Sequence, residues 1–472
     1  MTSNPASTIS RRNCLGQMGS GLASIALAQL LAEQAPADHP AREVHDLKPR
    51  QPMLPARATR VIQLFMHGGP SQMDLLDPKP ALEKYDGKTF PGVIDVQQPE
   101  QAGGILKSPF TFARHGESGI AVSDLMPHFA GCVDDVTVIR SMFTEHINHE
   151  PALWMIHTGQ TIPGRPSIGS WVTYGLGSEN QDLPAYVVLD DPRGLPVDGI
   201  RNWSSGWLPP IYQGTRFRAT GVPVWNLNPQ RTISAELDQA RRAYLARLDR
   251  AHRDRRPGEA ELDARLASYQ LAARMQVSAT SALDLSEETA QTQKLYGIDE
   301  GTTESYGRRC LLARRLVERG VRYVQVFING QIWDHHSGLE KGLREASART
   351  DKPVAGLLKD LKQRGLLEDT LVIWGGEFGR LPISQSKNGR DHNRQGFTIW
   401  MAGGGVKAGH VHGASDEFAY AAVEDRVSVP DFHATVLHLL GLDNRKLVYH
   451  RNGLEERLTG VNEPRVVSEI LA

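Results

Sequence analysis

Six short apolar runs, at residues 60–66, 136–140, 185–189, 321–328, 370–374 and 397–401, constrain the fold of this chain more than any other feature. Each is short for a helix and reads as a strand buried on both faces of a sheet. Helical patterns lie between and after them. Residues 141–159 begin as a loop and turn helical, 304–319 and 351–364 are helical, and 429–440 form a helix near the end. A charged helical stretch over 234–296, broken near Arg256-Pro257-Gly258, is expected to be a hairpin laid on the outside. Strands alternating with helices predict an α/β fold: a largely parallel central sheet with helices on both faces. Residues 203–226 read as an ordered surface loop, whose Trp203, Trp207 and Tyr212 either stack on a sugar or, more commonly, anchor the loop.

In a parallel sheet, functional side chains gather just beyond the carboxyl ends of the strands. Here the first run ends on His67-Gly68-Gly69-Pro70, with Asp74 and Asp77 in the following loop. The run at 321–328 leads to Trp333-Asp334-His335-His336, and that at 370–374 to Gly375-Gly376-Glu377-Phe378-Gly379-Arg380. The run at 136–140 is followed by Asn148-His149-Glu150, while Gly389-Arg390-Asp391-His392-Asn393 precedes the run at 397–401. A lone His or Glu in a loop is ordinarily solvated or caps a helix. Four of these five loops fall at strand ends, which scattered surface residues have no reason to choose.

Imidazole nitrogen together with carboxylate oxygen suits Zn, Mn or Fe better than Mg or Ca. In Asp334-x-His336, alternate side chains of an extended segment point the same way and can share one ion. Arg380 has a fork of donors suited to phosphate or sulfate; its bland reading is a pair with Asp391 or Glu377. The bland reading of His336 is a hydrogen bond to a backbone carbonyl. His410 and His412, among glycines, are placed outside the immediate ligand set, and neither a Walker nor a dinucleotide motif is present.

The 53 basic and 54 acidic side chains among 472 residues give no long-range field for a polyanion, so nucleic acid is not an expected partner. Near the start, Arg11-Arg12 directly precede an apolar, small-residue stretch, with Ala26-Leu27-Ala28 and Ala35-Pro36-Ala37 as cleavage-type sites. This is the layout of a twin-arginine export signal over 1–37. A linker at 38–59 and one domain at 60–472, with the helical insertion at about 234–297, would follow. The signal is too rich in Gly, Ser and Gln to span a bilayer comfortably, and no later segment is apolar enough. The mature chain is therefore expected in the periplasm or at the cell surface, without a stable membrane span. Cys132 and Cys310 either pair or remain as two buried thiols.

His67-Gly68-Gly69-Pro70-Ser71, Asn148-His149-Glu150-Pro151-Ala152, Trp333-Asp334-x-His336, Gly376-Glu377-Phe378-Gly379-Arg380 and Gly389-Arg390-Asp391-His392, in that order, carry a family likeness. They resemble the exported bacterial family called domain of unknown function 1501, which belongs with the alkaline phosphatase and sulfatase superfamily. The likeness runs over roughly 60–441. It implies a two-metal hydrolase architecture, in which one ion activates the attacking oxygen and the other stabilises the leaving oxygen. By position it implies Asp334, His336 and His392 as one metal set, and puts His67, His149 and Glu377 where the other set and the nucleophile belong.

Three departures from the superfamily stand out. His149 occupies the place of the usual Ser, Thr or modified Cys nucleophile. The first strand ends on His67 instead of Asp, and Glu377-Phe378-Gly379 replaces Asp-His-Gly, which removes one histidine ligand. The covalent step is then lost, and either a metal-held water attacks, with His149 as ligand or base, or the site binds without turnover.

Two functions compete on this reading. The first is a metal-dependent hydrolase of phosphate or sulfate esters, with sulfated or phosphorylated glycans among its candidate substrates. The second is a non-catalytic, metal-containing binding protein for an anionic glycan or a cell-surface partner. His149 and Arg380 are the expected catalytic residues. Asp334, His336, His392, Glu377, His67 and Asp74 are the expected ligands of one or two divalent ions.

Overall fold

Among the described residues nine strands make the central sheet: β1 (Arg60–Phe65), β2 (Val136–Phe143), β3 (Tyr186–Leu189), β4 (Thr215–Phe217), β5 (Tyr323–Phe327), β6 (Thr370–Gly375), β7 (Phe397–Ala402), β8 (His410–His412) and β9 (Val427–Ser428). The computed structural model describes residues 46–218, 224, 234–256, 259–328 and 330–472. The expected export signal and the start of the linker, 38–45, lie outside the described residues. Strand order is β8-β2-β7-β6-β1-β5-β3-β4, with β9 pairing on the far end of β2. Every pairing is parallel except those of β7, which runs antiparallel to both β2 and β6.

The period of two in a strand feeds two cores. Within β1, Val61 and Phe65 enter one apolar cluster, and Ile62 and Leu64 the other. The longer helices are α1 (His149–Thr158), α2 (Ile168–Leu176), α3 (Ala235–Asp254), α4 (Ala260–Leu283), α5 (Glu304–Glu318), α6 (Leu339–Gln363) and α7 (Val429–Leu439). Leu153 and Ile156 of α1, Trp171 of α2 and Val436 of α7 cover the Val61 face. Leu311 of α5, with Leu343 and Leu357 of α6, covers the Ile62 face. The α/β fold with a largely parallel sheet and helices on both sides is therefore the architecture observed.

Two local outcomes differ from expectation. Helix α6 starts at Leu339, well before residue 351, and carries Pro353 inside it. A proline in this position reads as a helix start, but the buried stripe of Leu343, Ala346, Val354, Leu357 and Leu361 holds the helix through it. The 203–226 segment contributes β4, an edge strand of the sheet, and its Trp203 and Tyr212 are buried anchors. The helical hairpin is present as α3 and α4, of which α4 buries Met275, Ala279 and Ala282. Cys132 and Cys310 are free and buried. Among the described residues no helix is long and apolar enough to cross a membrane.

Candidate metal centre

Strands β1, β2, β5 and β6 are mutually parallel, so their carboxyl ends share one edge of the sheet. His67, His149, Asp334 and Glu377 follow those ends. The reversal of β7 brings its amino end to the same edge, which explains why His392, lying before a strand, joins residues that lie after strands. The glycines after His67 are required by close approach. At φ +115° and +78°, a Cβ on Gly68 would lie 2.8 Å from Asp334 N, and one on Gly69 2.7 Å from the Phe378 ring. The three ligand-bearing loops thus meet backbone to ring.

Glu377 is fully buried and accepts the Gly68 N–H at 3.0 Å. Its Oε1 lies 2.6 Å from His149 Nδ1, and the other face of that imidazole, Nε2, is 3.3 Å from Asp334 Oδ2. Asp334 is the hub: its Oδ1 is 2.9 Å from His336 Nε2, 3.3 Å from His392 Nε2 and 2.6 Å from an Arg380 nitrogen. The Nδ1 atom of His392 donates to Ile147 O at 2.7 Å, and Gln385 Oε1 accepts from His336 Nδ1, so both imidazoles turn Nε2 inward. His335, between Asp334 and His336, turns the other way and fills the space left by Gly342.

These side chains form three groups in which the donor atoms lie within 4.8 Å of one another: His67, His149 and Glu377; His149, Asp334 and His392; and His336, Asp391 and His392. His67 tests whether a cation fits. Its side chain is fully buried, and neither ring nitrogen has a hydrogen-bond partner among the described residues. A buried polar atom left in this way costs about 1–3 kcal/mol. An ion shared with His149 and Glu377 would satisfy it, and the mixed N/O donor set suits Zn, Mn or Fe.

The electrostatics agree with that fit. Burial pushes the His67 pKa down, which keeps the ring neutral as a ligand must be. Burial would also lower His149, but hydrogen bonds to Asp334 and Glu377, with their charges, raise it to about 9. Burial opposes ionisation of Asp334, yet the Arg380 charge and hydrogen bonds from three imidazoles hold it far below the usual carboxylate range. His392 is pushed down to about 4 by burial and by Arg380.

Two expected site residues take other parts. Asp74 is not among the clustered donors: its carboxylate forms a forked pair with Arg390, at 2.8 and 3.2 Å, and accepts from Ser71 Oγ. Both partners are completely buried, so this pair ties the loop after β1 to the 389–393 loop. Arg380 is 1% exposed and not open to an anion. It donates to the carbonyls of Gly68, Gly69 and Arg390 and pairs with Asp334, not with Asp391 or Glu377. His410 and His412 lie in β8 and join none of the three groups. Asp391, quoted in its motif but not assigned, does join one. Phe378 takes the place of the absent histidine and packs on His149 and His392, with ring centroids 4.9 and 4.5 Å apart.

A largely parallel α/β sheet with an imidazole–carboxylate cluster along its carboxyl edge defines an α/β protein with a candidate metal centre. The chain belongs to the family described as "Protein of unknown function (DUF1501)", whose model matches residues 58–471. No curated protein matches it in sequence. It is similar to the PsFucS1 sulfatase from Pseudoalteromonas sp., at 13% identity and a TM-score of 0.35, over 82% of this chain and 68% of that one. It is also similar to a protein in the alkaline phosphatase superfamily from Vibrio parahaemolyticus, at 8% identity and a TM-score of 0.36, over 94% and 78%. A phosphonate monoester hydrolase from Silicibacter pomeroyi is similar at 11% identity and a TM-score of 0.33, over 67% and 68%. At such scores these likenesses add nothing to the functional reading, which rests on the cluster.

Proposed function

We propose that the chain is a metal-dependent hydrolase of phosphate or sulfate esters that works without a Ser, Thr or Cys nucleophile. The observation that carries this is His67, buried beside His149 and Glu377 with both ring nitrogens unpartnered. One or two divalent ions, bound when present by His67, His149, Glu377, Asp334, His336, Asp391 and His392, would neutralise charge on the ester oxygens and promote attack by water. Neutral His67 offers its ring as a ligand. His149, at the first position of α1, is either a ligand or, where no ion engages its ring, the base that takes a proton from an attacking water. Asp334 holds three imidazoles in register, Arg380 keeps Asp334 ionised, and Phe378 keeps water off the inner side of His149 and His392. The twin-arginine pattern assigns this activity to the periplasm or cell surface, as a single domain with a helical insertion.

Arg380 is spent on carbonyls and Asp334, and this favours a second reading: a metal-containing site that binds an anionic glycan without turnover. One experiment separates the two. Metal content of the purified, signal-processed chain is measured first, followed by hydrolysis of aryl phosphate and sulfate esters. Bound metal with turnover that His149→Ala abolishes supports the hydrolase. Metal without turnover of any ester supports the binding protein, and a chain without metal overturns both.

A further inference from the structure

Carboxamides that the hydrolytic reading does not use lie beside the cluster. Asp391 Oδ2 accepts the backbone N–H groups of Gln97 and Gln98, at 3.0 and 3.3 Å, which pins the 97–101 loop against the 389–393 loop. Gln97 Nε2 donates to Asn148 Oδ1 at 2.6 Å, directly beside His149. Gln385, whose Oε1 meets His336, donates to Gln98 Oε1 at 3.2 Å and reaches Gln101 Oε1 at 3.5 Å. Gln101 Oε1 also accepts from Ser386 Oγ at 3.0 Å. Gln97, Gln101 and Asn148 are exposed, and Gln98 is half-buried. The side-chain amino groups of Gln98, Gln101 and Asn148 have no partner among the described residues.

We propose that Gln97, Gln98, Gln101 and Asn148 form a sugar-binding rim, so that the ligand of this site carries its anionic group on a carbohydrate. The inference rests on reading the cluster as a metal-held anion site. A carboxamide presents acceptor and donors in one plane, as the hydroxyls of a sugar ring require, whereas a further anionic group would call for Arg or Lys. Gln97 and Asn148 hold one another, Gln98 and Gln101 both accept from Gln385, and the backbone of Gln97 and Gln98 is fixed to Asp391. A ligand therefore need not order them, and their unspent N–H groups are already in place.

Calorimetry on the metal-loaded, full-length chain tests the rim, with sulfate ion and the 6-sulfates of glucose, galactose and N-acetylglucosamine as probes. At least one sugar sulfate should bind more tightly than sulfate ion. Gln97→Leu and Gln98→Leu should each weaken that sugar sulfate about five- to tenfold, the worth of one hydrogen bond. Metal content should hold in both, and the double variant should bind the sugar sulfate no better than sulfate. No preference for any sugar sulfate over sulfate ion, or unchanged affinity in both variants, overturns the rim. Rim-dependent binding without ester turnover keeps the rim and sinks the hydrolase; turnover with rim-independent sugar affinity does the reverse. A chain that takes up no metal removes the anchor for both.

Discussion

Replacing His67 with leucine should remove metal and yet leave the metal-free protein more stable. The wild-type ring buries two unpartnered nitrogens in the metal-free state, at about 1–3 kcal/mol each. Leucine has a similar volume and no polar atoms, so it recovers much of that cost. Packing differences against Phe65 and His149 offset part of the gain, since volume-conserving swaps cost up to about 1.5 kcal/mol. A net stabilisation of roughly 2 kcal/mol is expected in the presence of chelator. With metal the order reverses, because an ion at a hundred times its Kd adds about 2.7 kcal/mol to the wild type. The assay is urea unfolding of both proteins with chelator and with excess Zn or Mn, alongside elemental analysis. A His67→Leu protein that keeps the full metal complement, or whose metal-free form unfolds below metal-free wild type, refutes the assignment.

Asp74→Asn leaves Arg390 buried without its counter-charge and should cost about 3–5 kcal/mol in urea unfolding, while ligand-group variants that retain Asp74 should not. His157 and His433 are buried and held down to about 3 and about 4. Their folded pKa values lie below the ordinary imidazole value, so the stability they contribute is complete above about pH 6.5. It should be lost as pH falls from there toward 4, and circular dichroism of the chelated protein with no loss in that window would refute this. Burial pushes the Cys132 and Cys310 thiols up to about 11 and about 12. Neither should react with iodoacetamide at pH 8 in the native protein, and both should react in denaturant, as read by mass spectrometry.

The strands at 60–66, 136–140 and 370–374 were legible because each is a closed apolar run, buried on both faces regardless of its neighbours. That the His, Asp and Glu side chains at their ends gather was legible too, since a parallel sheet sends such loops to one edge. The pairs of Asp74 with Arg390 and of Arg380 with Asp334 are hidden in the sequence, because a carboxylate or guanidinium looks alike there whether it faces an ion or a buried counter-charge. The early start of helix α6 is hidden because proline signals a break locally, while the burial that overrides it comes from packing on α5 and on the distant 129–135 segment.

Fold class and the identity of most clustered donors follow from local pattern, since hydrophobic period and strand-end position depend on nearby residues alone. The direction of β7 does not, because an apolar run reads the same in either orientation and the choice is made by pairing with β2 and β6. That reversal delivers His392 and Asp391 to the cluster. The orphaned nitrogens of His67, the hub at Asp334 and the carboxamide rim depend on which long-range partners arrive, and only the assembled sheet settles that.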